Sequence, residues 1–228
     1  MSMKKNFSVV AIKYCQTTLP ERMVFADRPE SELRIPISLT LYLIEVGERK
    51  ILVDAGCDTM PRYVLKHHIS PAEALRRYGV EPGEITDLIL THAHHDHVDA
   101  AHYFTGATVH IQQDEYLRAK EKGYLPDTLT VLPFEEEREL SGVWVRRFGG
   151  HTSGSSIVTF THEGKEYVIC GDECYHRRCL DEKRSTGNSQ NPARSRVFVE
   201  TYGTDAYTVL LAHDGEILPD GNGALKII

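Results

Sequence analysis

The stretch HAHHDHVD (residues 92–99) decides how the whole chain is interpreted, because it places four histidines and two aspartates in eight positions. It overlaps the end of ITDLILTH (85–92), whose apolar run predicts a short buried strand. His92 and His94 alternate with Ala93, so both imidazoles would point to the same side of an extended segment. The chain therefore presents two imidazoles to one point directly after a rigid element.

Asp96 and His97 extend this cluster. They lie at the start of HDHVDAAHYF (95–104), for which we predict a helix whose first turn returns both side chains to the same point. Imidazoles this close would repel one another if they were protonated, whereas zinc or iron binds neutral imidazole together with carboxylate. The spacing therefore predicts a metal site.

Three further predicted strand ends carry histidine or aspartate. The apolar run YVIC leads to Asp172, TVLL leads to His213, and His151 lies in the glycine-rich loop FGGHTSGSS (148–156). Functional groups in α/β proteins gather where rigid strands give way to loops. We expect these positions to join the cluster at 92–97.

The rest of the chain predicts strands and helices in an order that repeats roughly twice. Strands are predicted at 7–15, 38–46, 50–56, 85–92, 106–112, 142–148, 155–160, 166–172 and 207–214. Helices are predicted from Pro61 through 68, for SPAEALRRYG (70–79), for QDEYLRAKEKG (113–123) and for NPARSRVFVETYG (191–203). This order predicts an α/β fold with two sheets between outer helices. No linker interrupts it, so we expect one domain over residues 1–228.

Composition narrows the classes of partner. The net charge of −7 comes without a basic block, so nucleic acid is not an expected partner. No stretch resembles a signal peptide or approaches the roughly 20 apolar residues of a membrane-spanning helix, so no membrane partner is expected. The five cysteines follow no zinc-ribbon spacing and indicate reduced thiols in a cytoplasmic protein, with a Cys174–Cys179 disulfide as the alternative.

The motifs THAHHDH, GGHTSGSS, CGDECY and LLAHD, in this order, resemble those of the metallo-β-lactamase superfamily. The resemblance implies a four-layered αββα sandwich with two divalent metal ions between the sheets. Zinc is the expected metal, and iron and manganese accept the same ligands. The implied ligands are His92, His94 and His151 for the first ion, Asp96, His97 and His213 for the second, and Asp172 as a bridge. Asp54, in ILVDAG, would orient a ligand histidine. The remaining histidines, and Asp99, match no ligand position.

Tyr175 narrows the resemblance further. An Asp-x-x-Tyr at 172–175, together with LLAHD, is similar to N-acyl homoserine lactonases and related lactonases. That resemblance implies a quorum-quenching lactonase whose small-molecule substrate, a lactone or ester, is attacked by a hydroxide shared between the metals. Tyr175 would polarise the lactone carbonyl and Asp96 would protonate the leaving oxygen. An acyl chain would lie near Met23 and Phe25.

Other functions remain open at this point. A hydroxyacylglutathione hydrolase would have the same seven ligands, and HRRCLDEKR (176–184) supplies four basic residues for a glutathione carboxylate. A metal-binding regulator without catalysis is the alternative from another class. A secreted β-lactamase, a nuclease and a flavin-linked oxygen reductase fit the chain less well. The apolar N-terminal segment is a candidate surface for a homodimer.

Overall fold

Two sheets pack face to face in the computed structural model, which describes residues 6–216, 218 and 221–228. Residues 1–5 lie outside the described residues. They belong to the N-terminal stretch in which the sequence shows no signal peptide. The first sheet contains β1 (Phe7–Pro20), β2 (Arg34–Val46), β3 (Arg49–Val53), β4 (Asp87–Leu90), β5 (Thr108–Gln112), β6 (Thr130–Phe134) and β12 (Gly223–Lys226). The second contains β7 (Glu137–Leu140), β8 (Val143–Arg147), β9 (Ser156–His162), β10 (Lys165–Ile169) and β11 (Tyr207–Leu210).

The strand order explains how the chain closes each sheet. The first sheet runs β12-β1-β2-β3-β4-β5-β6, with antiparallel pairs up to β3 and parallel pairs from β3 to β6. The second runs β11-β10-β9-β8-β7 and is antiparallel except for the β10–β11 pair. Parallel pairs need crossover connections, and the chain places its helices there.

Alternating side chains of β1 show how the layers are built. Val9 and Ala11 pack in the core between the two sheets, whereas Val10 and Ile12 pack in the core between the first sheet and its helices. The same pattern continues across both sheets and gives the expected α/β architecture, with helices outside two central sheets. All side chains from Val9 to Cys15 are buried within the chain, so this part of the N-terminal segment offers no free surface to a second copy.

The helices are α1 (Glu21–Val24), α2 (Pro71–Tyr78), α3 (His95–Val98), α4 (Gln113–Glu121), α5 (Arg177–Asp181) and α6 (Pro192–Tyr202). Helix α2 begins and ends as its sequence predicts. The Ser70 hydroxyl accepts a hydrogen bond from the Glu73 amide, Pro71 occupies the first turn, and Gly79 ends the helix with φ of 99°. Asn191 caps α6 in the same way through the Arg194 amide.

The helix predicted from Pro61 through residue 68 is wrong. Arg62 and His67 have φ of 76° and 54°, which no continuous helix accommodates. Lys66 instead exchanges backbone hydrogen bonds with Gln16 at 2.8 and 3.0 Å, so the segment lies along β1. The predicted helix at 95–104 is also only partly α-helical, because a 3₁₀ helix follows α3 at Asp99–Tyr103. Strands β6, β7 and β12 lie where no strand is predicted.

Candidate metal centre

The structure brings all seven predicted ligand positions together at strand ends of both sheets. Their donor atoms form two groups that could each hold a metal ion. The first group is His92, His94, His151 and Asp172, and the second is Asp96, His97 and His213. The segment after β4 supplies four of these residues, two from the loop (His92 and His94) and two from α3 (Asp96 and His97), and the segments after β8, β10 and β11 supply one each. Each group therefore takes ligands from both sheets.

Asp172 lies between the two groups. Its Oδ1 is 3.0 Å from Nε2 of His97 and 2.9 Å from Nε2 of His213. Its Oδ2 is 3.2 Å from Nε2 of His151 and 3.5 Å from Nε2 of His92. One oxygen of the carboxylate thus faces each group, which is the geometry that a bridging ligand needs.

The histidines are oriented by contacts on the side of the ring away from the site. Nδ1 of His97 lies 2.8 Å from Oδ2 of Asp54, and Nδ1 of His213 lies 3.0 Å from the Ser38 carbonyl oxygen. Nδ1 of His151 lies 2.5 Å from the Asn188 carbonyl oxygen. An acceptor at Nδ1 leaves Nε2 as the lone-pair donor, so these three rings present a ligand atom to the centre.

Asp54 shows the local backbone that this arrangement requires. It follows β3 with φ of 62°, a left-handed conformation that is strained for a residue other than glycine. Besides facing His97, its carboxylate accepts hydrogen bonds from the amide and hydroxyl of Thr91 at 2.7 and 3.0 Å. Asp54 therefore lies where the sequence predicts an orienting residue, and it also fixes the end of β4.

Burial sets the protonation of the first group. It lowers the pKa of His92 well below the usual value and lowers the pKa of His151 to about 4, although the nearby Asp172 opposes the shift. The pKa of His94 is lowered for the same reason. These three imidazoles are therefore neutral near pH 7, which is the form that binds a metal ion.

Carboxylates dominate around the second group. Burial alone would lower the pKa of His97, but Asp172, Asp54 and Asp96 outweigh it and raise that pKa well above the usual value. The pKa of His213 is raised in the same way, chiefly by Asp172. Burial would raise the pKa of Asp172, yet the surrounding histidines hold it well below the usual range. The second group thus has a strongly negative environment suited to a cation.

The donor set fits two divalent ions. Oδ1 of Asp172 is buried and accepts no hydrogen bond, although two imidazole nitrogens lie near it. Nδ1 of His94 lies 3.1 Å from Nε2 of His92 and 2.8 Å from Nε2 of His151. Converging lone pairs and an unpartnered buried oxygen are costly without a cation, and imidazole with carboxylate suits zinc, iron or manganese.

A pocket of about 190 Å³ opens onto the site. Its floor is formed by His94, Asp96, Asp172 and His213. Its walls are mostly apolar and comprise Leu19, Met23, Ile37, Met60, Pro61 and Tyr63. Phe25, which the sequence placed beside Met23, is instead fully buried and stacks against the guanidinium groups of Arg178 and Arg184. Met23 thus lines the pocket and Phe25 does not.

Tyr175 also lines the pocket, and its hydroxyl is held on both sides. It donates a 2.8 Å hydrogen bond to Oδ2 of Asp172 and accepts one of 3.2 Å from the Asn188 side-chain amide. Burial, followed by the charge of Asp172, raises the pKa of Tyr175 well above its usual value, so the phenol keeps its proton. Tyr175 can therefore act as a hydrogen-bond donor in this pocket.

The other histidines take different places. His95 lies at the pocket rim, with Nε2 2.8 Å from the Thr59 carbonyl oxygen and 3.6 Å from Asp99. His110 is buried on β5, where it contacts Asp87 at 2.9 Å. Neither residue belongs to the two candidate metal groups. All five cysteines are buried reduced thiols, so Cys174 and Cys179 form no disulfide.

Two buried glutamates that no sequence motif marks lie beside the first group. Glu115 and Glu173 are both fully buried and accept hydrogen bonds from the loops that carry His94 and His151. Burial raises the pKa of Glu173 to about 7. A position next to Asp172 was the only signal for Glu173. Asn188 was also missed, since it lies in a polar stretch that has no motif.

Comparisons with known proteins agree with this geometry. A family model described as the metallo-beta-lactamase superfamily matches residues 38–207. The N-acyl homoserine lactonase AiiB of Agrobacterium fabrum is 25% identical in an alignment that covers 80% of this chain and 81% of the relative. The protein of the same name from Rhizobium rhizogenes is 24% identical over the same shares.

Solved structures share the fold. An N-acyl homoserine lactone hydrolase, solved with N-hexanoyl-L-homoserine at its catalytic metal centre, superposes with a TM-score of 0.79 at 20% identity over 98% of both chains. The dizinc quorum-quenching lactonase AidC superposes with a TM-score of 0.70 at 14% identity over 97% of this chain and 96% of its own.

In the described part of the chain, no helix has both the length and the apolar character that a membrane crossing requires.

Proposed function

Because this chain belongs to the metallo-beta-lactamase superfamily, we propose that it is a two-metal hydrolase that opens the ring of N-acyl homoserine lactones or similar lactones. The observation that carries the proposal is the pocket in which an apolar wall meets the candidate metal ligands and the Tyr175 hydroxyl. An acyl chain would lie against the wall, and the lactone carbonyl would lie on the floor. The lactonases among the relatives support the same substrate class.

The seven side chains would hold two divalent ions, with His92, His94 and His151 on one, Asp96, His97 and His213 on the other, and Asp172 on both. Bound there, the ions would supply an activated water near neutral pH and would polarise the carbonyl group. We propose zinc first, because most of the ligands are imidazoles and the others are carboxylates.

The chain's own residues would orient the substrate and move its proton. Tyr175 would transfer its hydrogen bond from Asp172 to the carbonyl oxygen, which gains negative charge as water adds to the carbonyl carbon. The ring C–O bond then breaks, and Asp96, at the pocket floor, would deliver a proton of that water to the departing ring oxygen. The sum is one lactone and one water giving one hydroxy acid.

The thioesterase alternative has less support. The basic residues of 176–184 are engaged within the protein: Arg177 donates to the Val209 carbonyl, Arg178 pairs with Glu182, and Arg184 contacts Asp27 and Glu182. Lys183 donates to the Gly203 carbonyl. None of the four lines the pocket beside the metal ligands. The regulator alternative would leave the pocket unexplained.

A substrate panel tests the proposal. Protein loaded with zinc, manganese or iron is assayed by acid release with N-acyl homoserine lactones of different chain length, with S-lactoylglutathione and with a β-lactam. We expect kcat/KM for a lactone to exceed the other values by at least about tenfold, which corresponds to about 1.4 kcal/mol in transition-state binding. Asp172→Asn is the inactive control. A preference for S-lactoylglutathione would show that the protein is a thioester hydrolase instead. Inactivity of protein with two bound ions would favour a regulator without catalysis.

A further inference from the structure

Two buried glutamates outside the seven ligand positions flank the loop that carries His151. Glu115 on α4 and Glu173 after β10 are each 0% exposed. Both accept hydrogen bonds from that loop, and Glu115 also accepts one from the loop after β4 and lies 3.7 Å from Arg118 of its own helix. Neither is among the residues that line the pocket. A buried carboxylate is costly unless donors surround it, so two of them in one place indicate a built arrangement.

Glu173 holds the loop from one side. Its Oε1 accepts hydrogen bonds from the amides of Gly150 and His151, each at 3.2 Å, and from the Ser155 hydroxyl. Its Oε2 lies 3.2 Å from the His151 amide. The backbone of His151 is therefore bound directly to the residue that follows Asp172 in sequence.

Glu115 holds the loop from the other side and ties it to a second one. Its Oε1 accepts from the Thr152 hydroxyl at 2.7 Å and from the Gly154 amide at 3.1 Å. Its Oε2 accepts at 2.9 Å from the amide of Ala93, which separates His92 from His94. One carboxylate thus connects the loop after β4 to the loop after β8.

The loop glycines confirm how closely the carboxylates approach. A Cβ atom on Gly150 would collide with Oε2 of Glu173, and one on Gly154 would collide with Gln112 and lie 2.9 Å from Cγ of Glu115. Neither glycine has a positive φ, so backbone conformation does not explain them. The GGHTSG sequence therefore matches the space that the two glutamates leave.

We infer that Glu115 and Glu173 are positioning residues that set the distance between His151 and the His92–His94 pair, and so govern the first metal group more strongly than the second. The imidazoles of the second group are oriented by other residues, since His97 contacts Asp54 and His213 contacts the Ser38 carbonyl. The inference rests on the proposed metal site and not on the proposed substrate.

Metal binding tests it directly. Glu115→Ala and Glu173→Ala are titrated with Zn²⁺ against a chromophoric chelator, and histidine ¹⁵N NMR reports whether His151 or His213 is coordinated. We expect the first ion to bind at least about tenfold more weakly in both variants, with the second changed less than about threefold. Glu173→Gln should restore much of the affinity, because its amide oxygen can still accept from Gly150 and Ser155. Glu121→Gln, an exposed change on α4, is the matched control.

Hydrogen exchange in the protein without metal provides a second measurement. The amides of residues 149–155 should exchange faster in the alanine variants, while those of β1 and β2 keep their protection. Gly150→Ala should reproduce the Glu173→Ala result, which keeps the test valid if an alanine variant folds poorly. An equal loss of affinity for both ions, or an unchanged affinity for the first, would overturn the inference. Absence of lactonase activity would not affect it, because no measurement depends on turnover.

Discussion

Asp172 is the residue on which both halves of the site depend. Each of its oxygens faces a different histidine group, and the Tyr175 hydroxyl donates to the oxygen on the first group's side. Burial opposes the charge of this carboxylate, and the surrounding imidazoles more than compensate. A hydroxyl that binds a metal ligand and lines the pocket can act either on the substrate or through the ligand, and a single substitution separates these roles.

Tyr175→Phe removes the hydroxyl and keeps the ring packed. If the phenol binds the developing oxyanion, kcat/KM for a lactone falls by about 10²-fold while two ions remain bound. Elemental analysis beside steady-state kinetics makes the measurement. Tyr167→Phe on β10, whose ring stacks on Phe160, is the control and should change neither quantity. Loss of metal would mean that Tyr175 acts through Asp172, and unchanged kinetics would remove it from the mechanism.

At the scale of elements, β4 has a candidate metal ligand after its end and a buried ion-pair network at its start. Asp87 begins β4 at the end opposite to His92, and it is 2% exposed. It contacts Arg49 of β3 at 2.7 Å and His110 of β5 at 2.9 Å, so it joins three neighbouring strands. Burial would raise its pKa, but hydrogen bonds from His110, Thr86 and Arg49 outweigh burial and lower the pKa to about 2.

Asp87→Asn should therefore weaken the protein in a pH-dependent way. A folded pKa of about 2 against an unfolded value of about 3.9 stabilises the native state by about 2.5 kcal/mol above pH 4. This contribution is lost as the pH falls from about 4 to about 2, and the variant lacks it throughout. Urea unfolding at pH 7 and at pH 3 measures the difference. Asp205→Asn, at an exposed position, is the control. An equal loss at both pH values would show that charge is not the cause.

At the scale of the molecule, sequence patterns predicted those features that depend on residues close together in the chain. The two-sheet α/β class and the capped helices α2 and α6 followed from periodicity and end signals. The helix predicted for residues 61–68 was wrong, because this segment forms its hydrogen bonds with β1, about 50 residues away in the chain. Glu115, Glu173 and Asn188 could not be found for the same reason. Each acts through contacts with loops that only the folded chain brings near.

The two candidate metal groups cross-link the sheets, which gives a prediction for the whole molecule. Each group combines side chains from the segment after β4 of the first sheet, which includes α3, with side chains that follow strands of the second sheet. An ion that binds the folded state alone stabilises it by about 2.7 kcal/mol per site at a free concentration of 100 times Kd. We expect the Tm to fall on chelation and to return on addition of Zn²⁺, in two steps if the sites differ in affinity. His151→Ala should remove one step and His213→Ala the other, because each variant lacks a donor of one group. His162→Ala, at the end of β9, should retain both. A Tm that is indifferent to chelation in protein shown to bind two ions would mean that the ions bind the folded and unfolded states equally well, and would contradict the prediction.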